Sequence, residues 1–414
     1  MVEKTLSINL CRLMETIQMS GQIGSLDKGG LCRLALTDED KQMRDLFVKW
    51  LKEANLAVRF DDFGNIYGRK EGINPTAAAI LIGSHLDTQP EGGRYDGILG
   101  VLSSLEVLRT LNEQPIDLER PVEIVCFTNE EGARFEPPIM GAGGLAGVFE
   151  KSFIFNCTDK DNKTFGEELE RIGYKGSQKN RIDGIFSFIE LHIEQGPVLE
   201  CENVDIGIVT GIQGMNWLEA KVIGQADHAG PTPMSMRQDA LAAASKMITE
   251  IQQIVTEQDT EATATVGRLS LIPNSINCVP GEVTFSIDIR HSDDRIRKHL
   301  HSEVLQRIST IAVIENVQIE VKEIWETDSS HFSEELIECI TEQARLLGYS
   351  TKKMISGAGH DAKYINKLAN TAMIFVPSAG GKSHCQEEFT EETAIEKGAN
   401  LLLRIVQKLA GGDK

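Results

Sequence analysis

Apolar positions in the first third of the chain follow two alternating periods. Over residues 41–54 they fall at Met43, Leu46, Phe47, Trp50 and Leu51, the stripe of an amphipathic helix. Residues 58–60 and 65–68 read as a short hairpin turning at Asp61-Asp62-Phe63-Gly64. Runs at 77–82, 122–127 and 187–193 are short and largely apolar, as buried strands are, and 97–111 reads as a helix between the first two. His85, Glu130 and His192 stand at or just past the ends of these runs. The alternation predicts a mostly parallel sheet covered by helices. In such sheets ligands gather where the carboxyl ends of the strands leave a crevice.

The texture changes near Gly211. Residues 217–224 are strand-like, 239–253 helical and 263–271 strand-like again. A cleanly alternating strand follows at 282–290, with Val283, Phe285, Ile287 and Ile289 on one face, then a helix at 293–312 and an extended stretch at 317–325. This β-α-β-β-α-β order resembles a ferredoxin-like sandwich of about 110 residues. The α/β texture returns after about Thr327. The expected architecture is therefore α/β: a catalytic domain with a mixed, mostly parallel sheet over 1–212 and 328–414, interrupted by an inserted ferredoxin-like α+β domain over 213–327.

Composition removes several function classes. A chain of 414 residues exceeds one usual core, in keeping with two domains. Its 42 Lys and Arg against 62 Asp and Glu give a net charge of −20, with no basic stripe for a nucleic-acid backbone. No apolar run approaches the roughly 20 residues needed to span a bilayer. The start, Met1 to Leu10, is amphipathic and lacks the features of a signal peptide. Eight widely spaced cysteines form no Cys-x-x-Cys, which predicts reduced thiols in a cytoplasmic protein.

The chemistry lies in the histidines and their acidic neighbours. His85 sits in Gly-Ser-His85-Leu-Asp87-Thr, Asp96 follows nine residues after Asp87, and Glu130-Glu131 closes an apolar run. His192 lies in Glu190-Leu-His192-Ile-Glu194-Gln195-Gly, and His384 follows Gly380-Gly381-Lys-Ser383. An isolated histidine at a strand end is ordinarily structural; convergence on one sheet edge changes that reading. His85, Asp96, Glu131, His192 and His384 are too many donors for one tetrahedral catalytic zinc and suit two divalent ions, with Asp96 as the shared carboxylate. Asp87, two residues after His85, is placed to accept the free ring N–H of that histidine. Adjacent carboxylates repel unless a cation accepts one; with Glu131 as a ligand, Glu130 remains as a base for a metal-activated water.

The phrases Gly83-Ser-His85-Leu-Asp87-Thr, Gly92-Gly93-Arg94-Tyr95-Asp96-Gly97, Asn129-Glu130-Glu131-Gly132 and Glu190-Leu-His192-Ile-Glu194-Gln195-Gly196-Pro197 resemble the M20 metallopeptidase clan, in its amidase/hydantoinase/carbamoylase branch. Ala226-Asp-His228-Ala229-Gly230-Pro-Thr232-Pro233-Met234 and Gly357-Ala358-Gly359-His360-Asp361-Ala362 carry the same resemblance, which covers nearly the whole chain. It implies a metallopeptidase-like catalytic domain, a lid and dimerisation role for the inserted domain, and a homodimer. It also implies two divalent ions per subunit (zinc, or manganese, cobalt or nickel) on the five donors named above, with Glu130 as base and Asp87 behind the ligands. His228 would act across a dimer interface on the scissile carbonyl, and Asn277 with Arg290 would hold a substrate carboxylate. Around the last ligand the chain departs from the branch, with Cys385 and Gln386 in the middle positions.

On the substrate side, Gln195 suits a ureido group and Gly357 to Gly359 would let a ligand approach the backbone closely. Gly214-Met215-Asn216-Trp217 lacks the positive charge expected of an allantoate reader. The expected activity is hydrolysis of N-carbamoyl-L-amino acids to the amino acid, carbon dioxide and ammonia. Allantoate amidohydrolase, β-ureidopropionase and an M20 dipeptidase or deacylase are the rival enzymes. A non-catalytic metal-holding binding protein is the rival from another class, and the spare base Glu130 speaks against it.

Overall fold

The computed structural model describes residues 6–114, 116–259 and 261–411. Part of the amphipathic start thus lies outside the described residues; the first helix is Leu10–Ser20, capped by Asn9. The chain divides into two compact units, one running to Thr210 and resuming at His331, the other Gly211–Ser330.

The large unit is built on a nine-stranded mixed sheet. Its centre is four parallel strands, β1 (Ala79–His85), β2 (Val122–Phe127), β3 (Ile185–Ile193) and β4 (Asn370–Val376), in the order β2-β1-β3-β4. Every residue of β1 and β2 is buried, which is why both read as continuous apolar runs. The flanks are antiparallel: Ile66–Lys70 pairs with β2 and forms a hairpin with Ala57–Phe60, while Ile206–Ile212 pairs with β4. Helix α1 (Ile98–Asn112) packs on β1 and β3. It is apolar nearly all round, and all its residues except Arg109 and Asn112 are buried. Helix Glu392–Leu409 packs on α1 and β4. Among the described residues no helix is long and apolar enough to cross a membrane.

Local chemistry explains where boundaries differ from the sequence reading. The helix expected at 41–54 is Asp38–Glu53: the Thr37 hydroxyl accepts the Asp40 amide, and three acids occupy the first turn. The single strand expected at 263–271 is two, Thr263–Thr265 and Leu269–Ile272, both on Glu282–His291. The intervening Arg268 exchanges hydrogen bonds with Ser286, and Gly267 offers no side chain to pack.

In the small unit, an antiparallel sheet orders Leu269–Ile272, Glu282–His291, Gly214–Ile223 and Gln318–Thr327. Helices Ala240–Gln258 and Asp294–Ile314 bury its core, to which Val283, Phe285, Ile287 and Ile289 contribute alternate positions of one strand.

Candidate metal centre

Parallel strands end on one side, so the residues at the ends of β1 to β4 share an edge. His85 is the last residue of β1 and faces Phe127 of β2 in register; His192, near the end of β3, faces Phe375 of β4. Asp96 comes from the loop between β1 and α1, Glu130 and Glu131 from the turn after β2, and His384 from the loop after β4.

These side chains converge. His192 Nε2 lies 3.1 Å and His85 Nε2 3.6 Å from Asp96 Oδ1. His384 Nε2 lies 3.3 Å from Asp96 Oδ2 and 3.4 Å from Glu131 Oε2. Donor atoms of His85, Asp96 and His192 lie within 4.8 Å of one another, as do those of Asp96, Glu131 and His384. Two donors on a tetrahedral zinc, each roughly 2.0–2.1 Å from it, stand roughly 3.3 Å apart. The spacing therefore fits atoms arranged around shared cations, with Asp96 common to both groups.

The backbone fixes two of the rings. His85 Nδ1 lies 3.0 Å from the Asp87 carbonyl, and His192 Nδ1 2.9 Å from the Ile193 carbonyl. A carbonyl only accepts, so each Nδ1 carries a proton and each Nε2 is turned toward the carboxylates, where the neutral ring offers a lone pair to a cation. In the neutral ring His192 Nε2 accepts the Gly97 amide at 3.1 Å. Gly97 has φ 65°, and a Cβ there would stand 2.4 Å from the His85 ring, so only glycine fits.

Asp87 differs from the expectation in one respect. Its carbonyl, not its carboxylate, meets the His85 ring. The carboxylate stands 4.0 Å from that nitrogen and accepts the amides of Glu130 at 3.3 Å and Glu131 at 3.2 Å. The two-residue turn brings the backbone closer to the ring than the side chain, which is left to cap the next turn.

Burial governs protonation. It pulls His85 down to about 4. In His192 burial acts the same way, but the contact with Asp96 and the charges of Asp96 and Glu190 outweigh it and bring the ring to about 9. His384 also reaches about 9, burial being overcome by Asp96 and Glu131. The same contacts hold Asp96 well below the usual carboxylate range in spite of its burial. Burial, with the charge of Asp96, raises Glu131 to about 8; burial, with Asp361 and Glu131, lifts Glu130 well above its ordinary value. Packed acids that hold protons for want of positive charge are what divalent cations relieve.

Several supporting residues have no role assigned from the sequence, among them Glu388, Glu190, His360 and Asp361. Glu388 accepts the Tyr95 and Asp96 amides at 2.9 and 3.1 Å and the Ser383 hydroxyl at 2.9 Å, tying the His384 loop to the Asp96 loop. Glu190 accepts the Ser84 hydroxyl at 2.6 Å and the Ala362 amide at 3.0 Å. His360 packs edge-on against His192, with ring centroids 4.5 Å apart, and Asp361 beside it is buried with both oxygens lacking a hydrogen bond. Gln195 donates to Asp96 Oδ2 at 2.7 Å, and its buried Oε1 has no partner. Gly357 and Gly359 lie in the turn after strand Thr351–Ser356 that leads to His360.

The other expected residues belong to the small unit. His228 is exposed and pairs with Cys278; its Nδ1 accepts the Gly230 amide at 3.1 Å. Asn277 is exposed, its carbonyl accepting the Ala229 amide. Arg290 is held by Asp288, with Nη2 2.7 Å from Oδ2. Arg290 lies eight residues beyond Glu282 on one strand, roughly 26 Å at 3.3 Å per residue, and Asn277 precedes that strand. Within one unit the two do not converge. Residues 214–217 also correct the sequence reading. Gly214, Met215 and Asn216 are buried, Asn216 is hydrogen-bonded to Arg297, and Trp217 packs on Trp325. Met215 and Asn216 are thus committed to the strand's own packing.

Residues 81–408 match the sequence pattern of the group described as peptidase family M20/M25/M40. The N-carbamoyl-L-amino-acid amidohydrolase of Rhizobium meliloti is 38% identical over 403 residues, covering 97% of each chain. The allantoate amidohydrolase of Bacillus subtilis (strain 168) is 35% identical over 401 residues, 96% of this chain and 97% of its own. Among solved structures, an amidase of the hydantoinase/carbamoylase family from Burkholderia multivorans matches with a TM-score of 0.92 at 42% identity, covering 98% of both chains.

Proposed function

The chain belongs to peptidase family M20/M25/M40, and from that premise we propose that it is a dinuclear metal-dependent amidohydrolase. In this reading it cleaves the carbamoyl C–N bond of N-carbamoyl-L-amino acids, releasing the L-amino acid, carbon dioxide and ammonia. The observation that carries the reading is Asp96, whose Oδ1 faces His85 and His192 while its Oδ2 faces His384. His85 and His192 would hold one ion, Glu131 and His384 the other, and Asp96 both. Imidazole and carboxylate donors suit zinc, manganese, cobalt or nickel. Ions bound there would polarise the ureido carbonyl and make water acidic enough to attack near neutral pH.

Glu130 takes a proton from the attacking water and delivers it to the departing nitrogen as the C–N bond breaks. Its Oε2, 3.4 Å from His85 Nε2, faces the same space as the donors. Asp87 holds that turn by its two amide contacts. Gln195 Oε1 is available to accept a ureido N–H, and Gly357 and Gly359, having no side chains, would let a ligand approach the backbone closely. His228, with Nδ1 accepting from Gly230, carries its proton on Nε2 and can donate to a developing oxyanion. Asn277 and Arg290 hold the α-carboxylate. Since they do not converge in one unit, a single carboxylate meets both only when a second copy supplies one. That supports a homodimer through the inserted ferredoxin-like unit, with His228 serving the neighbouring subunit. Eight cysteines that form no disulfide are in keeping with a cytoplasmic location.

The test is turnover on a panel of N-carbamoyl-L-amino acids, N-carbamoyl-β-alanine, allantoate, N-acetyl amino acids and dipeptides. The first class should be hydrolysed fastest. Preference for allantoate would favour the second reading, which the Bacillus subtilis relative supports. A metal-loaded protein inert on the whole panel would be a binder.

A further inference from the structure

Two guanidinium groups of the large unit, Arg33 and Arg44, are fully buried, and only one has a counter-ion. Arg44 Nε lies 2.7 Å from Asp40. Arg33 has no carboxylate at ion-pair distance among the described residues. Its Nε donates to the Leu86 carbonyl at 2.8 Å, and its Nη1 to the carbonyls of Ser20 at 3.1 Å and Ile23 at 3.2 Å. Its backbone closes the same grip: the Arg33 amide donates to Thr88 Oγ1 at 2.9 Å, and the Thr88 amide to the Arg33 carbonyl at 2.9 Å.

A buried cation that meets only neutral acceptors is costly, so its position calls for a reason. Burial lowers its pKa to about 10, with the charges of Asp40 and Asp87 opposing the fall, and it stays charged at neutral pH. The residues it grips lie on both sides of Asp87. That residue holds the His85 ring through its carbonyl and the Glu130 and Glu131 amides through its carboxylate. Movement of the Leu86–Thr88 turn would therefore shift His85 and the Glu130–Glu131 turn together. A planar fork reaching Leu86 on one edge and Ser20 on the other resists such movement as a flexible ammonium would not.

We propose that Arg33 is a positioning residue for the metal centre, anchoring the Leu86–Thr88 turn to the Ser20–Ile23 segment and thereby setting the His85 ring and the Glu130–Glu131 amides. The inference rests on the ligand role given above to His85. Cobalt(II) titration of the full chain tests it, reading the visible absorption bands, the stoichiometry, kcat and KM for wild type, Arg33→Lys and Thr88→Val. Arg33→Lys should melt cooperatively yet bind cobalt about 10- to 100-fold more weakly. It should also show altered bands and a reduced kcat with KM near wild type. Thr88→Val, which spares the guanidinium but removes the hydroxyl acceptor, should shift the bands in the same sense, and it carries the test if Arg33→Lys does not fold. Wild-type bands, affinity and kcat in the folded variants, with only a lowered Tm, would overturn the inference alone. A wild type that takes up no cobalt would overturn the ligand reading and the inference with it.

Discussion

His85 and His192 are sealed at the sheet edge, with side chains at most 1% exposed, whereas 51% of the His384 side chain is open to solvent. The inner rings sit on strands whose ladders set the direction of each side chain, and a backbone carbonyl fixes each Nδ1. His384 comes from the loop after β4, with a left-handed φ of 54°, and among the described residues no hydrogen bond fixes its Nδ1. What steadies that loop is side-chain contact: the Ser383 hydroxyl, with one proton to donate, lies 2.9 Å from both Asp96 and Glu388. The inner half of the cluster is thus preorganised by main chain, and the outer half depends on charges that a cation must reconcile.

The largest expected effect lies between the halves, at Glu130, which faces His85 from the turn carrying Glu131. Glu130→Gln should retain its metal and lose kcat by about 10²- to 10⁴-fold, read by steady-state kinetics beside metal analysis. A near-normal rate would remove Glu130 from the mechanism. The comparison itself is tested next by removing one donor from each half. His384→Ala should keep the inner ion under mild chelation, while His85→Ala should lose it; the reverse order in elemental analysis would mean that preorganisation does not set affinity. A third measurement asks how far each half tolerates a methyl group. Gly97→Ala combines a left-handed φ with a clash into the His85 ring, a destabilisation of about 2–5 kcal/mol. Gly380→Ala in the outer loop has a similar φ of 61°, but its Cβ would meet only Lys382 Cγ at 3.9 Å, so about 1–2 kcal/mol is expected. Denaturant melts of the two variants would falsify the contrast if their midpoints coincided.

The inner half was also the more legible in the sequence. Strand β2 occupies 122–127 as read, because a strand buried on both faces is apolar at every position. His85 and His192 could be put on one edge because parallel strands end on the same side. The supports were not legible for the opposite reason. Glu388 meets the Asp96 amide across 292 positions and Glu190 the Ala362 amide across 172, and contacts so distant leave no local pattern. Arg33, likewise, looks like any loop arginine until Leu86 is seen beside it. Two further features had signals that local rules supply. Asp288 and Arg290 are two apart on a strand and so share a face, which predicts their ion pair. Residues 214–217 open a strand lying between two others, where side chains are consumed by packing.

The smallest effect separates the halves by pH. The loop that follows Glu131 is fastened by Arg134, whose Nη2 lies 2.6 Å from Glu168 and 3.0 Å from Asp159. In Glu168 burial opposes ionisation, but hydrogen bonds from Arg171 and Arg134 outweigh it and hold the carboxyl below its ordinary value. Asp159 is likewise lowered against burial, by the Lys163 amide and Arg134. For acids depressed in the folded state, the stabilisation is complete above the unfolded pKa, near 4, and is lost as pH falls through the lower folded value. On metal-free protein, acidification below about pH 4 should therefore remove the stabilisation that this cluster supplies. Hydrogen exchange should rise first in residues 132–139, while β3 stays protected because no titrating side chain closes its ladder. If β3 opened at the same pH as the Arg134 loop, the two halves would share one fate in acid, and the distinction between a main-chain half and a charge-held half would fail.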